Sequence, residues 1–216
     1  MIAAIDWLAV ARGWKPVEYI AKPAVMLALL GWVALQSAAA RAWPPPLSWF
    51  ALGLCLSLLG DVLLMLPARL FLAGLVAFLF AHLAYIAGFS IGGLPLGLGT
   101  LALAVPMAGA AAWLTWRVAK GLAARGAHKL QAPVAGYSLV LSLMVMAALT
   151  TLIRSDWARV PAVLVAAGAV LFFASDGLLA WNRFVAPLRH GSLLVIVAYH
   201  LGQIALIAGV TMHLLA

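Results

Sequence analysis

Charge is nearly missing from this sequence. Charged residues make up 8% of its 216 positions and hydrophobic residues 67%, whereas a soluble domain averages about 25% charged and about 45–50% apolar. That balance excludes a water-soluble globule and points to an integral membrane protein. Alternation is missing as well. The apolar runs are continuous and rich in Leu, Ala and Val, so the closed barrel is excluded and helices remain. Cysteine is reduced to Cys55, which rules out a disulfide within the chain. With no His or Asn partner near it, Cys55 reads as a small core residue rather than a catalytic thiol. The net charge of +8 comes with no basic stripe and no basic–aromatic interleaving. It therefore does not imply nucleic acid, and it fits basic residues spread over short loops.

A convincing signal peptide is also lacking. Asp6 and Arg12 break the first apolar run, and no cleavage site follows. Residues 1–14 read as a short interfacial helix or a stunted first span, with Trp7 and Trp14 at headgroup level.

What is present is a proline-punctuated series of apolar runs. Pro23 opens the first, Pro44-Pro45-Pro46 separates the first from the second, and Pro67 closes the second. Pro95 lies in the next turn. Pro133 and Pro161 open two later runs, and Pro187 precedes the last. The runs predict an all-α polytopic transmembrane bundle, forming one domain over residues 1–216. Its spans lie near 22–41, 47–66, 70–91, 98–117, 133–153, 160–182 and 191–215, each close to the ~20 residues a bilayer needs. That makes seven spans, or eight if residues 1–14 are counted. Arg41, Arg154 and Arg159 fall on one side and the other ten of the thirteen Lys and Arg on the opposite side. The richer side is expected in the cytoplasm, with the N-terminus inside and the C-terminus outside.

Of the five acidic residues, two fall inside apolar runs. Asp61 lies in Leu58-Leu59-Gly60-Asp61-Val62-Leu63-Leu64, and Asp176 in Phe173-Ala174-Ser175-Asp176-Gly177-Leu178-Leu179. An ionisable group inside hydrocarbon is a functional-site hypothesis by default. Helix counting puts Asp61 about 8 Å and Asp176 about 9 Å below the same membrane face. Each acid is followed by a histidine motif, Ala81-His82-Leu83-Ala84-Tyr85-Ile86-Ala87 after the first and Tyr199-His200-Leu201-Gly202-Gln203-Ile204-Ala205 after the second. The likeness predicts a parallel internal repeat of spans 2–3 and 6–7, with both Asp and both His facing one central cavity. Gly53, Ser57 and Asp61 form a small-residue stripe, and Tyr137, Ser138 and Ser142 offer a further wall.

Several chemistries suit such a pair. The acids can be structural, pairing with Lys22 or Arg183. They can be a general acid and a general base, because two carboxyls in a partly dry cavity cannot both stay ionised cheaply. They can also serve proton-coupled transport or lipid binding. Zinc would need both His and both Asp at about 2.0–2.2 Å. His82, about 18 Å below the membrane face by the same count, lies too deep to join Asp61. No metal and no cofactor is therefore expected, and the histidines read as substrate-positioning groups. Ser175 has no nucleophile elbow around it and reads as support for Asp176.

The order Lys22-Pro23, Leu58-Leu59-Gly60-Asp61, Gly74-x-x-Ala77-Phe78-x-x-x-His82-x-x-Tyr85, Gly168-x-x-x-Phe172-x-x-Ser175-Asp176 and Asn182-Arg183-Phe184 resembles the YhhN family. The resemblance runs from about Lys22 to Gly209. It implies a lysoplasmalogenase-type hydrolase that cleaves the vinyl ether of a lysophospholipid to a fatty aldehyde and glycerophospho-ethanolamine or -choline. By this resemblance Asp61 and Asp176 would be the catalytic acid and base, in unassigned order. Lys22 would hold the phosphate, with Asn182 near it. His82, Tyr85, Tyr137, Ser175, Tyr199, His200 and Gln203 would contact the rest of the substrate. The partners implied are the lysophospholipid and membrane lipid. The Ala, Gly, Arg and Trp usage suggests a bacterial source, hence an inner (plasma) membrane.

Overall fold

Long apolar runs with few breakers leave the backbone one economical way to satisfy its own hydrogen bonds in lipid, the helix. The computed structural model describes residues 1–216, apart from the side chain of Ala68. Its elements are α1 (Ile2–Arg12), α2 (Lys15–Ala40), α3 (Pro45–Met65), α4 (Phe71–Ser90), α5 (Leu98–Ala124), α6 (Gln131–Leu149), α7 (Arg159–Phe184) and α8 (Gly191–Leu214). Single 3-10 turns lead into α4 and α6 and extend α6 to Ile153. Among the described residues there is no strand. Seven helices, α2 to α8, are long and apolar enough to cross a membrane, so the all-helical reading with seven spans holds. Leu35, Phe80, Val105, Leu139 and Val160 are exposed on their outer faces, as lipid-facing residues should be.

Three expectations change at the N-terminal side. The first span opens at Pro16, not Pro23. Gly13, at φ 68°, ends α1, and Pro16 sits in the first turn of α2, where its missing N–H is harmless. Pro23 then falls inside the helix, leaving the Tyr19 carbonyl without its usual donor. Helix α1 is about 16 Å long, too short to span. It nevertheless packs against α2 and α8 and buries Asp6 and Ala9 completely, while Trp7 points at α8 rather than to a headgroup layer. Cys55 is exposed, not a core residue.

The closest neighbours are α3 with α4 and α7 with α8. Both pairs approach through glycines. A Cβ on Gly60 would lie 2.6 Å from the Phe78 ring, and one on Gly202 would lie 2.9 Å from the Gly168 carbonyl oxygen. The stripe leading to Asp61 is thus filled by aromatic rings of α4, Tyr85 at Gly53 and Phe78 at Gly60. It leaves no channel for a substrate. In contrast, α5 is peripheral and buries only Met107, Val118 and Leu122. At its end Gly121 lies against the Phe184 backbone, so α5 leans on the end of α7.

Gly168→Ala pushes a methyl group to 2.7 Å from the Gly202 carbonyl oxygen, and overpacking of this kind costs about 1–3 kcal/mol. The open helical position Gly136 has nothing within 4 Å, so Gly136→Ala should gain up to about 1 kcal/mol. Thermal unfolding of the detergent-solubilised variants should therefore move in opposite directions.

Candidate functional site

The two intramembrane acids sit in two separate clusters. Asp61, on the last turn of α3, is 1% exposed and lies 3.1 Å from Lys22 Nζ of α2 through Oδ1. Its Oδ2 accepts a 2.7 Å hydrogen bond from the Tyr199 hydroxyl of α8. Asp176 of α7 accepts a 2.5 Å hydrogen bond from the Tyr137 hydroxyl of α6 at Oδ2. His82 of α4 brings Nε2 to 3.5 Å from the same oxygen and to 3.1 Å from the Tyr137 hydroxyl. Between the clusters stands an aromatic layer. The Tyr199 ring meets Phe78 at 5.7 Å and Phe172 at 5.4 Å, and Phe172 meets His82 at 4.9 Å.

His82 reaches an acid although a residue count along the spans argues against it. Helix α7 runs to Phe184, so Asp176 lies about 12 Å from that end, while His82 lies about 16 Å from the start of α4. Side chains lean toward the N-terminus of their own helix. Because α4 and α7 run in opposite directions, these two lean toward each other.

The internal repeat is not confirmed. His200, the counterpart of His82, does not face Asp61. Its Nδ1 accepts a 3.1 Å hydrogen bond from Trp7 Nε1 and lies 4.0 Å from Asp6 Oδ2. Asp6 and His200 are fully buried, and both Asp6 oxygens and His200 Nε2 have no partner. Burial pushes the Asp6 carboxyl up to about 6, against the pull of Lys22. Sequence reasoning noticed Asp6 only as a break in an apolar run. Nothing in the local sequence marks its burial, because the neighbouring Trp7 N–H goes to His200 of α8.

The remaining sequence-chosen residues divide between structure and site. Tyr85 donates to Gln203 Oε1 at 2.9 Å, and Gln203 Nε2 donates to Ser57 Oγ at 3.0 Å, which ties α4, α8 and α3 together in the dry core. Ser175 turns away from Asp176 and donates to the Val195 carbonyl. Asn182 accepts from the Leu188 N–H and shapes the turn into α8. Tyr137 stays with Asp176. His213 stacks on Trp157 at 3.8 Å. Among the described residues no three His, Cys, Asp or Glu side chains converge as a metal-ligand set.

A narrow cavity opens beside the second cluster, between α4, α5, α6 and α7. Asp176, Tyr137, Ser138 and Thr115 supply its polar wall, and residues such as Phe71, Leu114 and Phe173 supply the apolar remainder. Thr115 and Ser138 hydrogen-bond each other at 2.6 Å. A second apolar groove shares Phe71, Leu75, Val134, Tyr137 and Phe184 with it and reaches the outer surface between α4 and α6 at Leu72 and Val76. Asp61, Lys22, Tyr199 and His200 line neither space. One carboxyl in an otherwise apolar chamber, backed by a phenol and an imidazole, can hold a proton and deliver it to a bound apolar molecule.

A model of the YhhN family matches residues 17–210. The lysoplasmalogenase TMEM86B of Homo sapiens is 33% identical over 148 residues, covering 68% of this chain and 57% of its own length. A lysoplasmalogenase of Mycobacterium tuberculosis is 34% identical over 149 residues, covering 63% of this chain and 50% of its own length. The chain thus spans little more than half the length of these relatives. No solved structure matches it.

Removing one member of a buried ion pair strands the other charge at a cost of about 3–5 kcal/mol. Lys22→Met should lower unfolding stability by that order, and Lys22→Met with Asp61→Asn should recover most of the loss. A double-mutant cycle on chemical denaturation in detergent measures the coupling.

Proposed function

The chain belongs to the YhhN family, and on that premise we propose that it is a membrane-embedded hydrolase that cleaves the vinyl ether of lysoplasmalogens. The names of its relatives support the substrate class. The observation that carries the chemistry is Asp176, held by Tyr137 and His82 in the wall of an apolar cavity that continues to the lipid-facing surface. The apolar walls of the cavity and groove suit an alkenyl chain, and a substrate drawn from the bilayer would arrive between α4 and α6.

Hydrolysis of a vinyl ether begins with protonation of its β-carbon, which converts the ether into an oxocarbenium ion. Asp176, protonated, donates that proton. The carboxylate left behind stabilises the cation and takes a proton from the water that adds to the α-carbon. The hemiacetal then loses its hydroxyl proton, and the glycerol oxygen gains one as the carbon–oxygen bond breaks. The products are a fatty aldehyde and glycerophospho-ethanolamine or -choline, with one water consumed. His82 Nε2 and the Tyr137 hydroxyl, both at the Asp176 oxygen, orient the carboxyl through these transfers. In this reading the two acids divide the labour. Asp61 neutralises Lys22 and positions Tyr199 behind the aromatic layer, while Asp176 meets the substrate.

In this reading the protein lies in a bacterial inner membrane, with the arginine- and lysine-rich end in the cytoplasm. Asp176→Asn should lose at least about 100-fold in kcat for aldehyde release while keeping the wild-type melting temperature within a few degrees. Asp61→Asn should lower stability more than turnover. Full activity in Asp176→Asn would sink the assignment, and absence of aldehyde from wild-type protein that binds lysoplasmalogen would identify a lipid-binding or transport protein instead.

A further inference from the structure

Resting on the hydrolase reading, we infer that Arg183, rather than Lys22, is the residue that holds the phosphate of the lysophospholipid. Lys22 is committed to Asp61 at 3.1 Å. Arg183 lines neither the cavity nor the groove itself, but it stands at the end of α7, one residue before Phe184, which lines both. It follows Asp176 on α7 by two helical turns, about 10 Å along the axis, and therefore shares its face. Its guanidinium carbon lies 3.7 Å from the centre of the Phe71 ring, and Phe71 lines both the cavity and the groove. The side chain is exposed, and among the described residues no carboxylate pairs with it.

The spacing suits the molecule. From the vinyl β-carbon to phosphorus, an extended glycerol spacer spans roughly 8 Å, by the bond lengths that make three backbone bonds about 3.5 Å long. With the β-carbon at Asp176, the phosphate falls at the end of α7. Arg125 Nη1 donates to the Arg183 carbonyl at 2.8 Å, fixing that end against α5. A guanidinium stacked on an aromatic ring keeps its N–H edge free, and that edge matches two phosphate oxygens.

The test is binding of two saturated ligands that protonation cannot cleave, a 1-O-alkyl glycerophosphocholine and the 1-O-alkylglycerol of the same chain length. Titration calorimetry in detergent compares wild type, Arg183→Ala and Arg183→Lys. Wild type should prefer the phosphate-bearing ligand by about tenfold, as one charge-assisted contact would give. Arg183→Ala should erase that preference without changing affinity for the alkylglycerol, and Arg183→Lys should retain part of it. Millimolar inorganic phosphate should not compete. The inference is overturned if Arg183→Ala keeps the preference, if it weakens both ligands alike as a packing defect would, or if free phosphate displaces the lipid. Aldehyde release from lysoplasmalogen on the same preparations decides the hydrolase reading separately, since the binding comparison stands whether or not the chain turns over.

Discussion

The buried contact between Asp61 and Lys22 sets the terms for the rest of the bundle. In a low-dielectric interior a charge without a partner costs several kcal/mol, and each one must be neutralised, paired or placed on a water-filled space. The 3.1 Å ion pair and the Tyr199 hydrogen bond satisfy Asp61 completely. They also tie α2, α3 and α8 together at one level. Helix α2 has to bring Lys22 to that level, and this fits a helix that starts at Lys15 and carries Pro23 in its interior. Asp176 has no such cation. Its partners are a phenol and an imidazole, and its other neighbour is the cavity. Two acids of one residue type in similar local sequence thus acquire different chemistry from what faces them.

Packing decides where empty space can remain. Along α3 the glycines that look like an approach to Asp61 are occupied by Tyr85 and Phe78, and aromatic rings continue through Phe172 to His82. The space appears instead beside α5, the helix with the least buried surface. An amphiphile reaching Asp176 can therefore keep its chain among apolar side chains and its polar end near the basic residues where α5 and α7 finish. On the proposed hydrolase reading, this geometry would remove the need to lift a lysolipid out of the bilayer.

Helix α1 adds a second fully buried acid. Asp6 and His200 meet in a dry contact with Trp7, where His200 Nδ1 is already an acceptor and cannot also donate to the carboxyl. Burial without a hydrogen-bond partner is also what raises the Asp6 carboxyl. The short helix is held by this buried polar contact and by Ala9, and so behaves as part of the bundle rather than as a surface anchor.

By itself the sequence determined the class of structure and the residues worth watching. Hydropathy and proline placement yield the seven spans, because the need to cross hydrocarbon acts locally on every run, although α2 starts and α5 ends about two turns beyond the expected bounds. Two acids where none is cheap single out Asp61 and Asp176, and the ordered motifs indicate the family. Only the tertiary structure decided which side chains meet. It gave the two acids different partners, turned His200 toward Asp6, brought His82 up to Asp176, joined Lys22 to Asp61 and set Arg183 on the Phe71 ring. The physical reason is that a residue's depth follows from position along one helix. Its neighbours depend on how far each helix runs past the expected span, on which way its side chains lean, and on which glycines let rings in. Those quantities belong to pairs of helices and are not written in either one alone.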